Sequence, residues 1–198
     1  FIIFTNLEDT PIDDFIIKDS FIIIPKIISD ERGFFFESWN QMKFDEIIGQ
    51  KITFCQDNHS RSAIGVLRGM HYQLEPNSQG KLVRCTLGTI YDVVVDIRRS
   101  SETFGKWGGV ILSNENKKQL WIPKGFAHGF LTLSEAAEVQ YKTDSFWDKD
   151  CERSLKWNDK HLNIKWPKNS KFKDPTLSKK DLEAPSFIDA KSKGDIFE

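Results

Sequence analysis

Methionine is scarce in this 198-residue chain, at 2, and cysteine and histidine are little commoner, at 3 and 4. The cysteines, Cys55, Cys85 and Cys151, are odd in number and far apart, with no Cys-x-x-Cys pair. That excludes a disulfide framework and a zinc ribbon and implies a reducing compartment. An excess of charge is missing too: 28 Lys and Arg oppose 29 Asp and Glu, a formal net charge of −1, so no global field favours nucleic acid or an anionic membrane. Apolar runs such as Phe21 to Ile24 fall far short of a membrane span, and the first residues lack a basic-then-apolar signal pattern. A soluble, cytoplasmic protein is expected, with neither nucleic acid nor membrane as partner.

Aromatic residues are plentiful: 16 Phe and 6 Trp lie among short β-branched runs, which suits a sheet-rich core better than a helical bundle. The length fits one domain over 1–198, with its core over about 12–187 and a frayed C-terminal tail. Up to residue 30, Phe1–Phe4, Phe15–Ile17 and Phe21–Ile24 read as edge strands broken by turns and by Pro25. A turn at Asp30-Glu31-Arg32-Gly33 leads into a strand over 34–39. Asn40 then caps a short helix with Phe44, Ile47 and Ile48 on its apolar face and Gly49 as its stop. Further strands are expected at 53–58, 66–73, 81–84, 90–97, 110–113, 119–122, 126–133 and 138–143. This spacing, with almost no helical period between, predicts a mainly β antiparallel sandwich or barrel. In the tail, Trp157 to Pro167 is apolar enough to pack on the body, and Lys168 to Lys173 is a basic exposed loop. Ser178-Lys179-Lys180-Asp181 has the capping-box form and opens a short helix ending before Pro185.

The stretch from Val66 to Arg84 concentrates the chemistry. Two short strands flank a polar turn with Pro76, Asn77, Ser78 and Gly80, and carry His71 together with Arg68, Lys81 and Arg84. Period-two alternation puts Leu67, Gly69, His71 and Gln73 on one side and Lys81, Val83 and Cys85 on one side of the other strand. Paired as a hairpin with those sides matched, the strands would point His71 and Lys81 into one space. Gly69 leaves that space open, or marks a bulge that swings Arg68 inward. A neutral base beside a fixed cation suits proton removal next to a carbonyl, because the cation stabilises the enolate. The plainer alternative is a surface His and Lys on an ordinary hairpin.

Ile122-Pro123-Lys124-Gly125-Phe126-Ala127-His128 has the form of the second half of the cupin signature. The first half, two His one residue apart with a Glu nearby, is absent, and only His71 stands where it would fall. That argues against a metal site while leaving the barrel in place. Tyr141, on a face with Val139 and Thr143, is either sheet packing with a satisfied hydroxyl or a proton donor opposite a base. Asp181 either finishes its capping box or does chemistry. Arg32, Arg68 and Lys81 carry charge enough for a diphosphate or are solvated rim, and Cys85 reads as core.

A longer series of segments carries a resemblance. Asp30 to Glu37, Gln56-Asp57-Asn58-His59-Ser60, Leu67 to Gln73, Gln79 to Arg84, Asp92 to Arg98, Gln119 to Pro123, Gly125 to Phe130, Trp157-Asn158-Asp159, Trp166-Pro167 and Leu177 to Asp181 run in one order over about residues 12–187. In these the chain resembles the dTDP-4-dehydrorhamnose 3,5-epimerases, cupin-fold enzymes of the dTDP-L-rhamnose pathway. The resemblance implies a cupin-type antiparallel jelly-roll barrel with a few short helices, no cofactor, and a dTDP-linked 4-keto-6-deoxyhexose as substrate. By position it makes His71 the general base, Asp181 its supporting carboxylate, Tyr141 the general acid and Lys81 the cation at the enolate oxygen. It places His128 and Arg68 in the sugar pocket. Arg32, Glu37, Gln56 and Asn58 fall at nucleotide and diphosphate positions, and Glu152 and Lys180 at further ligand positions. It also implies a homodimer with N-terminal strand exchange, in which Arg32 and Glu37 serve the neighbouring site. Where the family commonly has a tyrosine pair, this chain has Ser145-Phe146-Trp147, which keeps aromatic stacking and loses a phenol. The expected activity is inversion of carbons 3 and 5. The alternatives are a 3-epimerase or keto-isomerase on the same substrate class, a non-catalytic sugar-nucleotide binding module, and a metal-dependent cupin oxygenase.

Overall fold

The computed structural model describes residues 3–5, 17–168 and 171–198. Its strands are β1 (Ile3–Thr5), β2 (Phe21–Ile24), β3 (Ile28–Asp30), β4 (Gly33–Phe35), β5 (Gln56–Ala63), β6 (Leu67–Gln73), β7 (Lys81–Leu87), β8 (Thr89–Asp96), β9 (Trp107–Ser113), β10 (Gln119–Ile122), β11 (Phe126–Thr132), β12 (Ala136–Thr143) and β13 (Glu152–Ser154). Three short helices accompany them: α1 (Gln41–Ile48), α2 (Lys179–Leu182) and α3 (Phe187–Lys193). A six-stranded sheet, ordered β1-β2-β10-β7-β12-β5, faces a five-stranded one, ordered β13-β6-β11-β8-β9, and β3-β4 form a small separate hairpin. All these pairings are antiparallel, as in a jelly roll.

Strand β8 explains the layering. Its eight residues alternate, with Ile90 and Val94 in the core between the sheets and Tyr91, Val93 and Val95 in a second core outside the five-stranded sheet. A strand buried on both faces is apolar throughout, so Asp92 and Asp96 stand out as charges with no exposed surface. The outer core is closed by the chain after β13: Leu155, Leu162, Ile164 and Trp166 lie against it, as expected of the 157–167 stretch. Each fully buried aliphatic side chain in these layers is worth about 1.5–3 kcal/mol.

Several local expectations hold. The Asn40 side chain accepts from the Lys43 N–H at 3.2 Å, Gly49 closes α1 in the left-handed region, and Phe44 is its buried face. The Ser178 hydroxyl caps α2. Others are corrected. Strands β6 and β7 are not a hairpin: β6 pairs with β11 and β13, β7 with β10 and β12, so the seven residues between them cross from one sheet to the other. The strand expected over 34–39 ends at Phe35, where its partner β3 runs out, leaving Phe34 and Phe35 exposed. The last ten residues are not frayed. Ser186 caps α3, which buries Phe187 and Ala190, and Phe197 bridges to Arg98. The expected strand at Phe15–Ile17 lies mostly outside the described residues, as does part of the loop at 168–173.

A bulge in β6 shapes the space between the sheets. Between its pairings with Phe130 and His128 on β11, β6 has one residue more than its partner, and Gly69 there sits at φ +126°. A Cβ on Gly69 would fall 2.5 Å from the Gly129 Cα, so both strands need glycine at this crossing. The extra residue resets the alternation: Leu67, Met70 and Tyr72 pack in the outer core, while Arg68 turns to the inner side with His71 and Gln73.

Candidate active site

Between the two sheets lies a cavity lined by Arg68 and His71 of β6, Lys81 of β7, His128 of β11, Tyr141 of β12 and Glu152 of β13. His71 and Lys81 do look into one space, as the sequence suggested, but from facing sheets; the Lys81 ammonium donates to the His71 carbonyl at 3.4 Å. The His71 ring is about one-third exposed, and its Nε2 lies 2.5 Å from Oδ1 of buried Asp181. Asp181 lies in the capped turn and beside the imidazole at once: its backbone N–H donates to the Ser178 hydroxyl at 3.2 Å and its carboxylate takes the His71 ring. Burial pushes the Asp181 carboxyl up, but hydrogen bonding from His71, the charge of that ring, the Ser178 hydroxyl and the Gly69 N–H outweigh it and hold it below the usual range. An ionised carboxylate can only accept, so Nε2 carries the proton and Nδ1 is left as the basic nitrogen.

Lys81 is 7% exposed, and burial lowers its ammonium to about 8, the charges of Asp92 and Glu152 opposing that fall and Lys180 adding to it. His128 Nε2 lies 2.5 Å from Oδ1 of Asp92. Burial lowers the His128 imidazole further than Asp92 raises it, with the charges of Lys81 and His71 acting the same way as burial, so the ring is neutral near pH 7. The other Asp92 oxygen has no hydrogen-bond partner. The cavity therefore has a second His–Asp pair, and sequence reasoning gave Asp92 no role. The available signal was an aspartate buried among the apolar residues Ile90 to Val95. The Tyr141 hydroxyl is raised by burial, against Arg68 and with Glu152, so it stays protonated. Arg68 is held by Ser62 Oγ at 2.9 Å and the Arg61 carbonyl at 3.3 Å. Among the described residues no group of three or more His, Cys, Asp or Glu is placed to hold a metal ion. The arrangement can do proton chemistry: a base with its carboxylate, a cation and a phenol share one partly enclosed space.

The family model for dTDP-4-dehydrorhamnose 3,5-epimerase matches residues 14–189. An epimerase of that name from Shigella flexneri is 59% identical over 174 residues, 88% of this chain and 94% of that protein. The chain belongs to the dTDP-4-dehydrorhamnose 3,5-epimerase family. It is therefore an isomerase, and its jelly roll is the family's cupin-type fold. A dTDP-6-deoxy-D-glucose-3,5-epimerase from Legionella pneumophila Philadelphia 1, solved in complex with dTDP-4-keto-L-rhamnose, superposes with a TM-score of 0.86 at 46% identity, covering 96% of each chain. A 3'-monoepimerase from Streptomyces bikiniensis, solved with dTDP-quinovose, gives 0.84 at 32%, covering 90% of this chain and 88% of its own.

The positions that the family resemblance singles out are only partly gathered. Asn58 is tied to Gln56 at 3.0 Å on β5, and Gln56 also accepts from the Trp147 N–H at 3.0 Å. Trp147 itself lines the cavity with its indole half exposed. Glu152 and Lys180 face each other at 2.6 Å. Arg32 and Glu37 stand apart. Arg32 is exposed at the β3–β4 turn and paired with Asp30, and Glu37 is paired with Lys43 at 2.6 Å.

Proposed function

We propose that this chain is a cofactor-independent epimerase, inverting carbons 3 and 5 of dTDP-4-dehydro-6-deoxy-D-glucose to give dTDP-4-dehydro-L-rhamnose in the cytoplasm. The observation that carries the reading is the placement of His71 on one sheet, backed by Asp181 of α2, and of Tyr141 on the facing sheet, around a single cavity. The 4-keto group acidifies the hydrogens on the carbons beside it. His71 takes one of them, and Asp181 stabilises the imidazolium. Lys81 stabilises the enolate oxygen, and Tyr141 returns a proton from the other face, so the centre inverts. Positioned acid–base catalysis is worth about 10²–10⁴-fold and one oxyanion donor about 10²–10³-fold. His128 and Arg68 hold the sugar, with Gln56, Asn58, Glu152 and Lys180 at the remaining ligand positions.

The active species in this reading is a homodimer. The β3–β4 hairpin carries exposed Ile28, Phe34 and Phe35 beside Arg32, apolar surface that a second copy would cover while receiving Arg32 and Glu37 at its own site. A 3-epimerase is the second reading, favoured by Phe146-Trp147 in place of the tyrosine pair. Turnover in D₂O with mass and NMR analysis of the sugar separates them: deuterium at carbons 3 and 5 is expected, deuterium at carbon 3 alone means the 3-epimerase, and none at either overturns both.

A further inference from the structure

Helix α2 delivers the carboxylate to the base, yet it is four residues long and Asp181 is the only side chain it buries. A single turn does not persist on its own, and Leu182 is 60% exposed, so apolar packing does not seat the helix itself. Its flanks are seated, by Leu177 on the outer core and by Ala184. The turn's side-chain ties to the rest of the protein are polar: the Ser178 cap, the bonds of Asp181, and Lys180, whose Nζ lies 2.6 Å from Oε2 of Glu152; the Lys179–Glu183 pair at 3.9 Å stays within the turn. Glu152 belongs to β13, which pairs with the base's own strand in the register Glu152 with Gln73 and Ser154 with His71. The contacts thus close a ring: His71 through β6 to β13, Glu152 to Lys180, along α2 to Asp181, and back to His71.

We propose that the Glu152–Lys180 ion pair is a positioning clamp that sets the Asp181–His71 hydrogen bond. This rests on the reading of His71 as the base. The two side chains are 27% and 46% exposed, and pairs of that kind add little to global stability. Apart from contact with the ligand, the value of the pair lies in geometry, because a displacement of about 1 Å at a catalytic group can cost about 10²-fold in rate.

The test compares kcat, KM and the pH dependence of kcat/KM for wild type, Lys180→Met, Lys180→Arg and Asp181→Asn, with Lys180→Met repeated in the Asp181→Asn background. Around His71 stand Asp181 from α2, His128 from β11, Lys81 from β7, Tyr141 from β12, Glu152 from β13 and Arg68 from its own strand. All are retained in Lys180→Met. Removing the lysine's positive charge would by itself raise the acid limb, which reports the free base. Weakening the Asp181 contact lowers it, so the two effects differ in sign. The clamp predicts a kcat loss of about 10-fold or more, an acid limb moved to lower pH, recovery with arginine, and no further loss beyond Asp181→Asn. A rise in KM alone, an acid limb that is unmoved or raised, or losses that multiply in the double variant would overturn it. Wild-type kcat and pH profile in Asp181→Asn would instead refute the dyad.

Discussion

Lys81→Met should separate what the buried ammonium does for catalysis from what it does to stability. In the folded protein this group titrates at about 8 against an ordinary 10.5, chiefly because it is buried. The gap between those values corresponds to about 3 kcal/mol. Between them the unfolded chain binds a proton that the native protein does not, so stability rises with pH. The cost of burying the charge is fully present below pH 8 and is gone above 10.5. Denaturant unfolding of both proteins from pH 7 to 10.5 should therefore show wild type gaining up to about 3 kcal/mol on the variant. The offset at pH 7 includes the loss of a charge partner for Asp92, so the change with pH, not the offset, is diagnostic. Titrating groups not coupled to Lys81 cancel in the difference. In activity, kcat/KM of wild type should fall as pH passes about 8, because Tyr141 is held above the ordinary tyrosine range and cannot set that limb. The variant should lose about 10²–10³-fold in kcat. A constant stability difference across that range, or an alkaline limb near 10, would refute the reasoning.

Tyr141→Phe keeps the ring against the core and removes only the acid. Turnover should fall by about 10²–10⁴-fold with little change in Tm, and unimpaired turnover would remove the phenol from the mechanism. If Arg32 serves the neighbouring subunit, mixing inactive Arg32→Ala and His71→Ala proteins under subunit exchange should restore activity, because each heterodimer then has one site with neither defect. Activity that stays at the level of the separate proteins would place Arg32 in its own subunit's site or outside both.

What the amino-acid order made legible was mostly local. Helix α1 follows from Asn40, Phe44 and Gly49 alone, since cap, buried face and stop lie within ten residues. Strand β10 is the expected apolar run at the expected place. The β6–β7 crossover was not legible, because apolar strand, polar turn and apolar strand read alike whether the strands pair or enter different sheets. Strand β5 was half missed for another reason. Gln56, Asn58 and Ser60 alternate with exposed Asp57, His59 and Arg61, so both faces are polar and no period of two in hydrophobicity marks it. Helix α3 was written in the chain, with Ser186 and Asp189 at one end and Gly194 at the other, but its few apolar residues gain their weight only from the outer core they cover. In the site, His71, Lys81 and Tyr141 were nameable from residue type and family resemblance. The inward turn of Arg68 depended on which option Gly69 took, and the Asp92–His128 pair depended on two strands distant in sequence being neighbours.

Because the crossover after β6 puts Lys81 on the sheet that also holds Tyr141 and leaves His71 on the other, the proposed donor and acceptor stand one sandwich thickness apart. Facing sheets stand about 10 Å apart, close to what one pyranose ring needs between two side chains reaching for opposite faces. Val83 of one sheet and Phe130 of the other belong to the core that fills that gap, and Phe130 also lines the cavity.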